Sequence, residues 1–467
     1  MRMTIRVSML VLVLVGSLSV AESADQPANR PPARFQLGTF SAEVTIPLNH
    51  RCMGIIPTKS KEIVDPLLAK GFVLTGGDAP LVLLALDWCE VRNGAYDRWR
   101  DVLAEAANTT RDHVLVCSLH QHDAPVSDAG VEKLLAEVGL SGEMFDPKFH
   151  EESVQRVAGA LRDSLEHLQP VTHFGTGQAR VEKVASNRRV VNAQGGVSFG
   201  RSSSSAGNQA LSAAPDGLID PFLKTISFWN GDKPLLALHA YATHPMSYYG
   251  RGGVTYDFVG MAREQRQRDD RHVFQIYVSG CSGDVTAGKY NDGSPAMRPL
   301  LANRMYEAMV AAWKQTTRHP LEQATFRKAE LDLPFRQDAA HTAESMRSVL
   351  DNPQATVEKR ILAAMGLSSL QRVQSGQKID FPCIDFGTAQ IVLFPGESFV
   401  GYQLQAQKLR PDSFVLSIGY GECWPGYIPT KAGFADNFND VWLWVAKGAD
   451  VPMQQALEQV LKLKDEG

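Results

Sequence analysis

Apolar runs too short for buried helices alternate with amphipathic helical patterns along most of this chain, and that alternation constrains its fold most. Leu81–Leu86, His113–Leu119, His272–Val278 and Ala389–Phe394 read as buried strands. Phe222–Trp229 and Pro234–Thr243 read as two more, joined by a hairpin signal at Asn230-Gly231-Asp232. Helical spacing covers Tyr96–Ala107, Phe149–Leu168, Met297–Thr316 and most of Ala339–Gly376, and Asp257 can cap a further helix. Strands interleaved with helices predict an α/β chain: one large domain with a mixed β-sheet core and flanking helices. No internal repeat is visible, and no linker divides the mature chain. The serine-rich patch Arg201–Ser205 reads as a surface loop.

The 467 residues are 44% hydrophobic and 21% charged, which is ordinary globular composition. The net charge of -4, without a long basic stripe, argues against nucleic acid as a partner. Arg2 and Arg6 precede the apolar stretch Val7–Val20, too short for a comfortable membrane span, and Ala21-Glu22-Ser23 offers small residues for cleavage. Residues 1–23 are therefore expected to be a signal peptide, 24–34 a linker and 35–467 the domain, with export to a periplasm or the cell exterior. A retained membrane anchor is the competing reading of the same stretch. Export permits disulfides among the six cysteines, but no CxxC pair suggests a thiolate metal site. Cys117 lies within an apolar strand and reads as a small buried residue.

Several predicted strands end in polar or glycine-rich clusters, and α/β sheets gather sites beyond the carboxyl ends of their strands. His120 and His122 end HVLVCSL two residues apart, which puts them on one face of an extended chain. Such a pair can bind a metal, or one ring can bind while the other works on a substrate. Two hydrogen-bonded histidines at a strand end fit equally well. His244 ends another strand before a proline, with His239 on the opposite face as a core or surface residue. Glu397 follows a buried strand in Pro395-Gly-Glu; a carboxylate at a helix start is the plainer reading. Ser279–Thr286 (SGCSGDVT) follows a strand, and its glycines allow a sharp turn against a ligand. Two histidines, a carboxylate and an oxygen donor are a plausible catalytic zinc shell.

These segments, in order, resemble the neutral/alkaline non-lysosomal ceramidase family over nearly the whole mature chain. The resemblance is carried by Ala42–Pro47 with Met53-Gly54, Leu81–Asp87, Ser118–Pro125, Asn187-Arg188 and Ala242–Pro245. It continues through Asp257 with Gly260, Gly283–Thr286, Pro395–Glu397 and Tyr427–Thr430. It implies a Zn2+ ion held by His120, His244, Glu397 and Tyr427. His122, Arg188, Asp284 and Thr286 would be the catalytic residues, with His122 and Arg188 lining the pocket against the substrate. The implied activity is metal-assisted hydrolysis of an amide, N-acyl sphingosine in the family. A small-molecule or lipid substrate and transient contact with a membrane surface follow from it. The sequence departs from the pattern at Gln121 and Asp123, at Thr286 in place of serine, and at Asn439-Asp440 in place of a second tyrosine pair. A counterpart of the family's C-terminal immunoglobulin-like domain is not expected among these residues.

Those departures surround the implied ligands, so another amide or an ester, such as a cell-wall or polysaccharide-linked acyl group, is a competing substrate. Two further readings are a cysteine hydrolase built on Cys281 and a non-catalytic secreted binding protein on the same fold.

Overall fold

The computed structural model describes residues 34–462. The expected signal peptide and almost all of the expected linker lie outside the described residues. Three mixed sheets form the frame. In the first, Phe35–Glu43, Leu68–Thr75 and Leu81–Leu86 run as an antiparallel meander; the helix Asn93–Ala106 then returns the chain to Val114–Ser118, parallel to Leu81–Leu86. The second repeats this order with His173–Arg180, Phe222–Asn230, Lys233–Tyr241, the helix Asp257–Asp269 and Phe274–Ser279. The third repeats it with Thr325–Leu331, Ile379–Asp385, Ala389–Leu393, the helix Val400–Leu409 and Phe414–Ile418. A second helix in each unit (Pro147–Leu165, Met297–Lys314 and Asp450–Leu461) packs on that unit's first strand. The chain therefore carries a threefold repeat of topology that its sequence does not display. Topology needs only apolar residues at matching positions, not matching residues.

The expected α/β class and the strands read from apolar runs are present, with ends shifted by a residue or two. The hairpin turns at Gly231-Asp232, with Asn230 facing Lys233. Ala339–Gly376 divides into the helices Ala343–Asp351 and Val357–Gln374. Asp257 opens its helix and its carboxylate accepts the Phe258 N–H at 2.6 Å. All six cysteines are free and buried. The parallel pairs are covered on both faces: Leu81–Leu86, Val114–Ser118 and Ala389–Leu393 are buried throughout, which is why they read as continuous apolar runs.

Each sheet has one parallel pair at its edge, and the three edges meet. The Ser118 N–H donates to the Tyr420 carbonyl at 3.0 Å, and the Gly419 N–H donates to the Ser279 carbonyl at 2.8 Å. Ser279 Oγ donates to the Leu119 carbonyl at 2.8 Å. Every loop that continues one of these strands therefore starts from one small region.

Asp87 locks the first unit to the second. Its carboxylate accepts both guanidinium nitrogens of Arg263, at 2.6 and 2.8 Å, and the Leu68 N–H at 2.9 Å. Both side chains are essentially excluded from solvent. Asp87→Ala leaves the buried Arg263 guanidinium with only the Glu264 carboxylate, 2.9 Å from its Nε, and is expected to cost about 3 kcal/mol in urea unfolding. A loss below about 1 kcal/mol would contradict this account.

His50, His150 and His239 are buried and each is pushed down to about 4, chiefly by burial. His239 is a core residue, held between Thr225 Oγ1 at 2.8 Å and Gln275 Oε1 at 2.9 Å. An unfolded imidazole protonates near pH 6.5, so between about 6.5 and 4 the unfolded chain binds more protons than the folded one. Stability is thus present above that window and lost as the pH falls through it. Raised carboxyls such as Glu422 and Asp123 act in the opposite sense, so the test is differential: His239→Gln should lessen the fall of the urea midpoint between pH 7 and pH 4.5 relative to the wild type, and an unchanged fall would refute the assignment.

Candidate metal centre

The loops beyond the three strand edges bring His120, His244 and Glu397 together. Their ligand atoms lie within 4.8 Å of one another, and all three residues are buried. His120 Nε2 stands 3.3 Å and His244 Nε2 2.8 Å from the same oxygen, Glu397 Oε2. The other nitrogen of each ring is anchored on the main chain. His120 Nδ1 donates to the Cys89 carbonyl at 3.1 Å, and His244 Nδ1 donates to the Ser282 carbonyl at 2.6 Å. Carbonyl acceptors fix the tautomer, so both Nε2 lone pairs point at the shared centre, the arrangement that metal-binding histidines require.

The two-residue parity argument does not position His120 and His122. The strand ends at Ser118, and His120 has a φ of 70° because its N–H turns to the Trp88 carbonyl at 2.9 Å. A non-glycine residue in that region carries strain of about 1–3 kcal/mol. His122 nevertheless joins the site through this turn, its ring 5.4 Å from that of His120. Tyr420, at the equivalent place in the third unit, also has a positive φ of 58° and stacks on His120 at 4.3 Å. Glu397 is not at a helix start. It pairs in a short parallel bridge with Tyr427, so those two residues are neighbours by backbone register. The Tyr427 ring lies 6.3 Å from His244 and within 5.6 Å of the Arg188 guanidinium carbon.

The electrostatics fit a cation. Burial pushes the Glu397 carboxyl up, but His120 and His244 outweigh it and hold it well below the usual range. Burial pushes His120 down, but Glu397 raises it overall; burial, aided by Arg188, drives His244 to about 4. Burial, then the neighbouring rings of His120 and His244, hold His122 well below its ordinary value. A divalent cation held at the same point would compete with protons for these groups.

His120, His122, Glu397, Tyr427 and Arg188 all line a cavity of about 230 Å³. Asp284 and Thr286 are not among the lining residues. Asp284 accepts the Val400 N–H at 2.8 Å and Asn187 Nδ2 at 2.9 Å, and its carbonyl accepts the Arg188 N–H at 2.7 Å, so it holds the strand that presents Arg188. Thr286 Oγ1 is turned to the Ser202 carbonyl, at 3.5 Å. Gly283 serves chain packing, since a Cβ there would collide with the Glu397 carbonyl. Cys281 is fully buried and is not on the cavity wall; burial, then Asp284, pushes its thiol well above the ordinary value, which removes it as a nucleophile.

The cavity contains residues that sequence reasoning did not select. Cys89, Tyr249 and Asp440 line it, as do Ser202 and Ser203 from the patch expected on the surface. Arg201, fully buried, draws that patch inward by donating to the carbonyls of Asn187 and Leu211, at 2.8 and 2.7 Å. For Asp440 a signal existed, the departure from the family pattern at Asn439-Asp440. Tyr249 and Ser203 carry none, because they arrive from loops without a motif.

No family model and no curated protein matches this sequence. Among solved structures, neutral ceramidase from Pseudomonas aeruginosa matches with a TM-score of 0.67, over 92% of this chain and 74% of its own, at 14% identity. The chain has the neutral ceramidase fold. A ceramidase complexed with C2 gives 0.65 over 92% and 75%, also at 14% identity. As this chain builds the ceramidase fold, the three clustered groups come one from each topological unit: His120 from the first, His244 from the second and Glu397 from the third.

His120→Ala should lower divalent-cation affinity by more than about 100-fold, beyond the loss typical of an outer partner. His122→Ala should leave it unchanged. Competition against a chromophoric chelator measures both, and undiminished affinity in His120→Ala would exclude it as a ligand.

Proposed function

We propose that this protein is a zinc-dependent hydrolase of an amide bond, with an N-acyl sphingosine as the first substrate class to test. The observation that carries the reading is the convergence of His120 Nε2, His244 Nε2 and Glu397 on one point, with both Nδ1 atoms anchored on carbonyls. The fold shared with neutral ceramidase supports the choice of reaction. Two imidazoles and a carboxylate, with the Tyr427 phenol beside them, suit zinc. When bound, zinc supplies an activated water and polarises the attacked carbonyl.

The remaining roles fall to side chains of the cavity wall. Arg188, stacked on Tyr427 and with its Nε unpaired, is placed to stabilise the developing oxyanion. His122 is buried with Nδ1 unpaired and holds or moves the proton needed by the leaving amine. Its ring is steadied by Tyr249 at 4.6 Å. Asp123 accepts the Gly250 N–H at 2.8 Å, joining the His122 loop to the Tyr249 loop. The apolar segment Val7–Val20 supports export, which would place this chemistry outside the cytoplasm.

One observation favours a second substrate class. Asp440 adds a carboxyl to the cavity wall beside Arg188, and Thr286 Oγ1 faces a carbonyl instead of the cavity. A carboxyl at this place also suits a smaller, more polar amide or an ester. A substrate panel separates the two: N-acyl sphingosine against short acyl amides and esters, before and after chelation. Chelation should abolish turnover and added zinc restore it, and Arg188→Ala should lower kcat about 100-fold or more with zinc still bound. Full activity in the presence of chelator would overturn the reading.

A further inference from the structure

The threefold topology leads to a second group of metal-binding side chains. His244 is the third residue after the strand Lys233–Tyr241, and Glu397 the fourth after Ala389–Leu393, the third strands of their units. In the first unit the third strand is Leu81–Leu86, and the third residue after it is Cys89. The Cys89 side chain thus reaches the site by the route that delivers two candidate ligands, and it lines the metal cavity with His120 and His122.

Ligand atoms of Cys89, His120 and His122 lie within 4.8 Å of one another, and all three residues are buried. Cys89 Sγ stands 3.9 Å from His120 Nδ1, whereas His120 Nε2 faces Glu397. His122 Nδ1 has no hydrogen-bond partner although the residue is only 7% exposed. An orphaned nitrogen in so dry a place is costly, and a cation supplies the missing partner. The two groups differ in kind. A carboxylate with two imidazoles suits a borderline divalent ion, whereas a thiolate with two imidazoles is soft. It also carries a single negative charge, which a monovalent ion neutralises inside the protein. Met53 and Met246 line the same cavity, and thioethers share the preference of thiolates for Cu+.

The geometry points to Cys89, His120 and His122 as a second cation site, made for Cu+, whose occupation excludes the first. As Sγ bonds the ion, the thiol proton leaves to solvent. The His120 proton moves from Nδ1 to Nε2, which gives up the bond to the Cys89 carbonyl and donates instead to Glu397 Oε2, 3.3 Å away. A neutral imidazole has one lone pair to give, so His120 serves one site at a time. With Cu+ in place, His122 is a ligand and no longer handles protons. That inhibition rests on the hydrolase reading above; the Cu+ site does not.

Anaerobic titration of the metal-free protein with Cu+, against a chromophoric Cu+ chelator, tests the site. A single Cu+ should bind with an ultraviolet thiolate-to-copper absorption. Cys89→Ser should remove that absorption and lower Cu+ affinity relative to zinc by more than about 100-fold, beyond the loss of an outer partner. Serine keeps the main-chain carbonyl that anchors His120, so the first site stays formed. His122→Ala should lower the same ratio at least about tenfold. Glu397→Gln should do the reverse, weakening zinc and sparing Cu+, since the amide oxygen still accepts from Nε2. Absence of the absorption in the wild type, or an undiminished ratio in Cys89→Ser, overturns the site; equal loss of both ions in Glu397→Gln overturns its separateness. Cu+ should also inhibit the zinc-loaded wild type at least about tenfold more strongly than zinc-loaded Cys89→Ser, and equal inhibition overturns the exclusion. If no amide is turned over, the hydrolase reading fails by itself and the titrations still decide the Cu+ site.

Discussion

Three strand ends held to one another by hydrogen bonds decide where the candidate site of this molecule lies. The Ser118–Tyr420, Gly419–Ser279 and Ser279–Leu119 contacts bring the edges of three separate sheets to one point. A Cβ at Gly419 would press on the Gly280 carbonyl, so the approach depends on a residue without a side chain there. Beyond that point each chain leaves its sheet and needs new partners for its polar groups. The loops find them in one another, and the space they enclose becomes the cavity.

The same constraint explains the strength of the ligand geometry. Removed from water, an imidazole N–H without an acceptor is costly, so His120 and His244 take the nearest carbonyls, at Cys89 and Ser282. Those carbonyls belong to the loops that the strand ends position. Behind them a buried polar network ties the site to the helices. Arg92 donates to Glu90, Ser369 and the Cys423 carbonyl, and Asn93 donates to Asp128 and Ser368. Glu90 in turn accepts the Trp442 indole N–H at 3.2 Å, in the loop that carries Asp440 and Val441. The candidate ligands and the loop of Asp440 and Val441 thus share one buried support.

Much of the candidate site was legible because its residues sit in short polar segments that directly follow apolar strands. His120, His122, His244 and Glu397 were found in that way, with ordered segments of family resemblance as the second guide. Arg188 and Tyr427 depended on the resemblance alone, and they lie against each other on the cavity wall. Asp284 and Thr286 share a motif with the site and lie behind it, since a motif marks a segment and does not give the direction of each side chain. Ser203, Tyr249 and Cys89 escaped notice because their positions depend on distant anchors such as Arg201, and nothing near them in the sequence reports those anchors.

The sequence by itself determined the class of the fold, since the period of apolar residues dictates strand or helix locally and buried parallel strands must be apolar on both faces. It also determined the chemistry on offer, because imidazole, carboxylate and guanidinium groups are properties of residues. Only the tertiary structure decided that one topology occurs three times, that the three strand edges converge, and which neighbours of the ligands face the cavity. Convergence is a relation between residues far apart in the sequence, such as His244 and Glu397, 153 positions apart. It is set by packing and by the satisfaction of buried polar groups, and no local pattern encodes it.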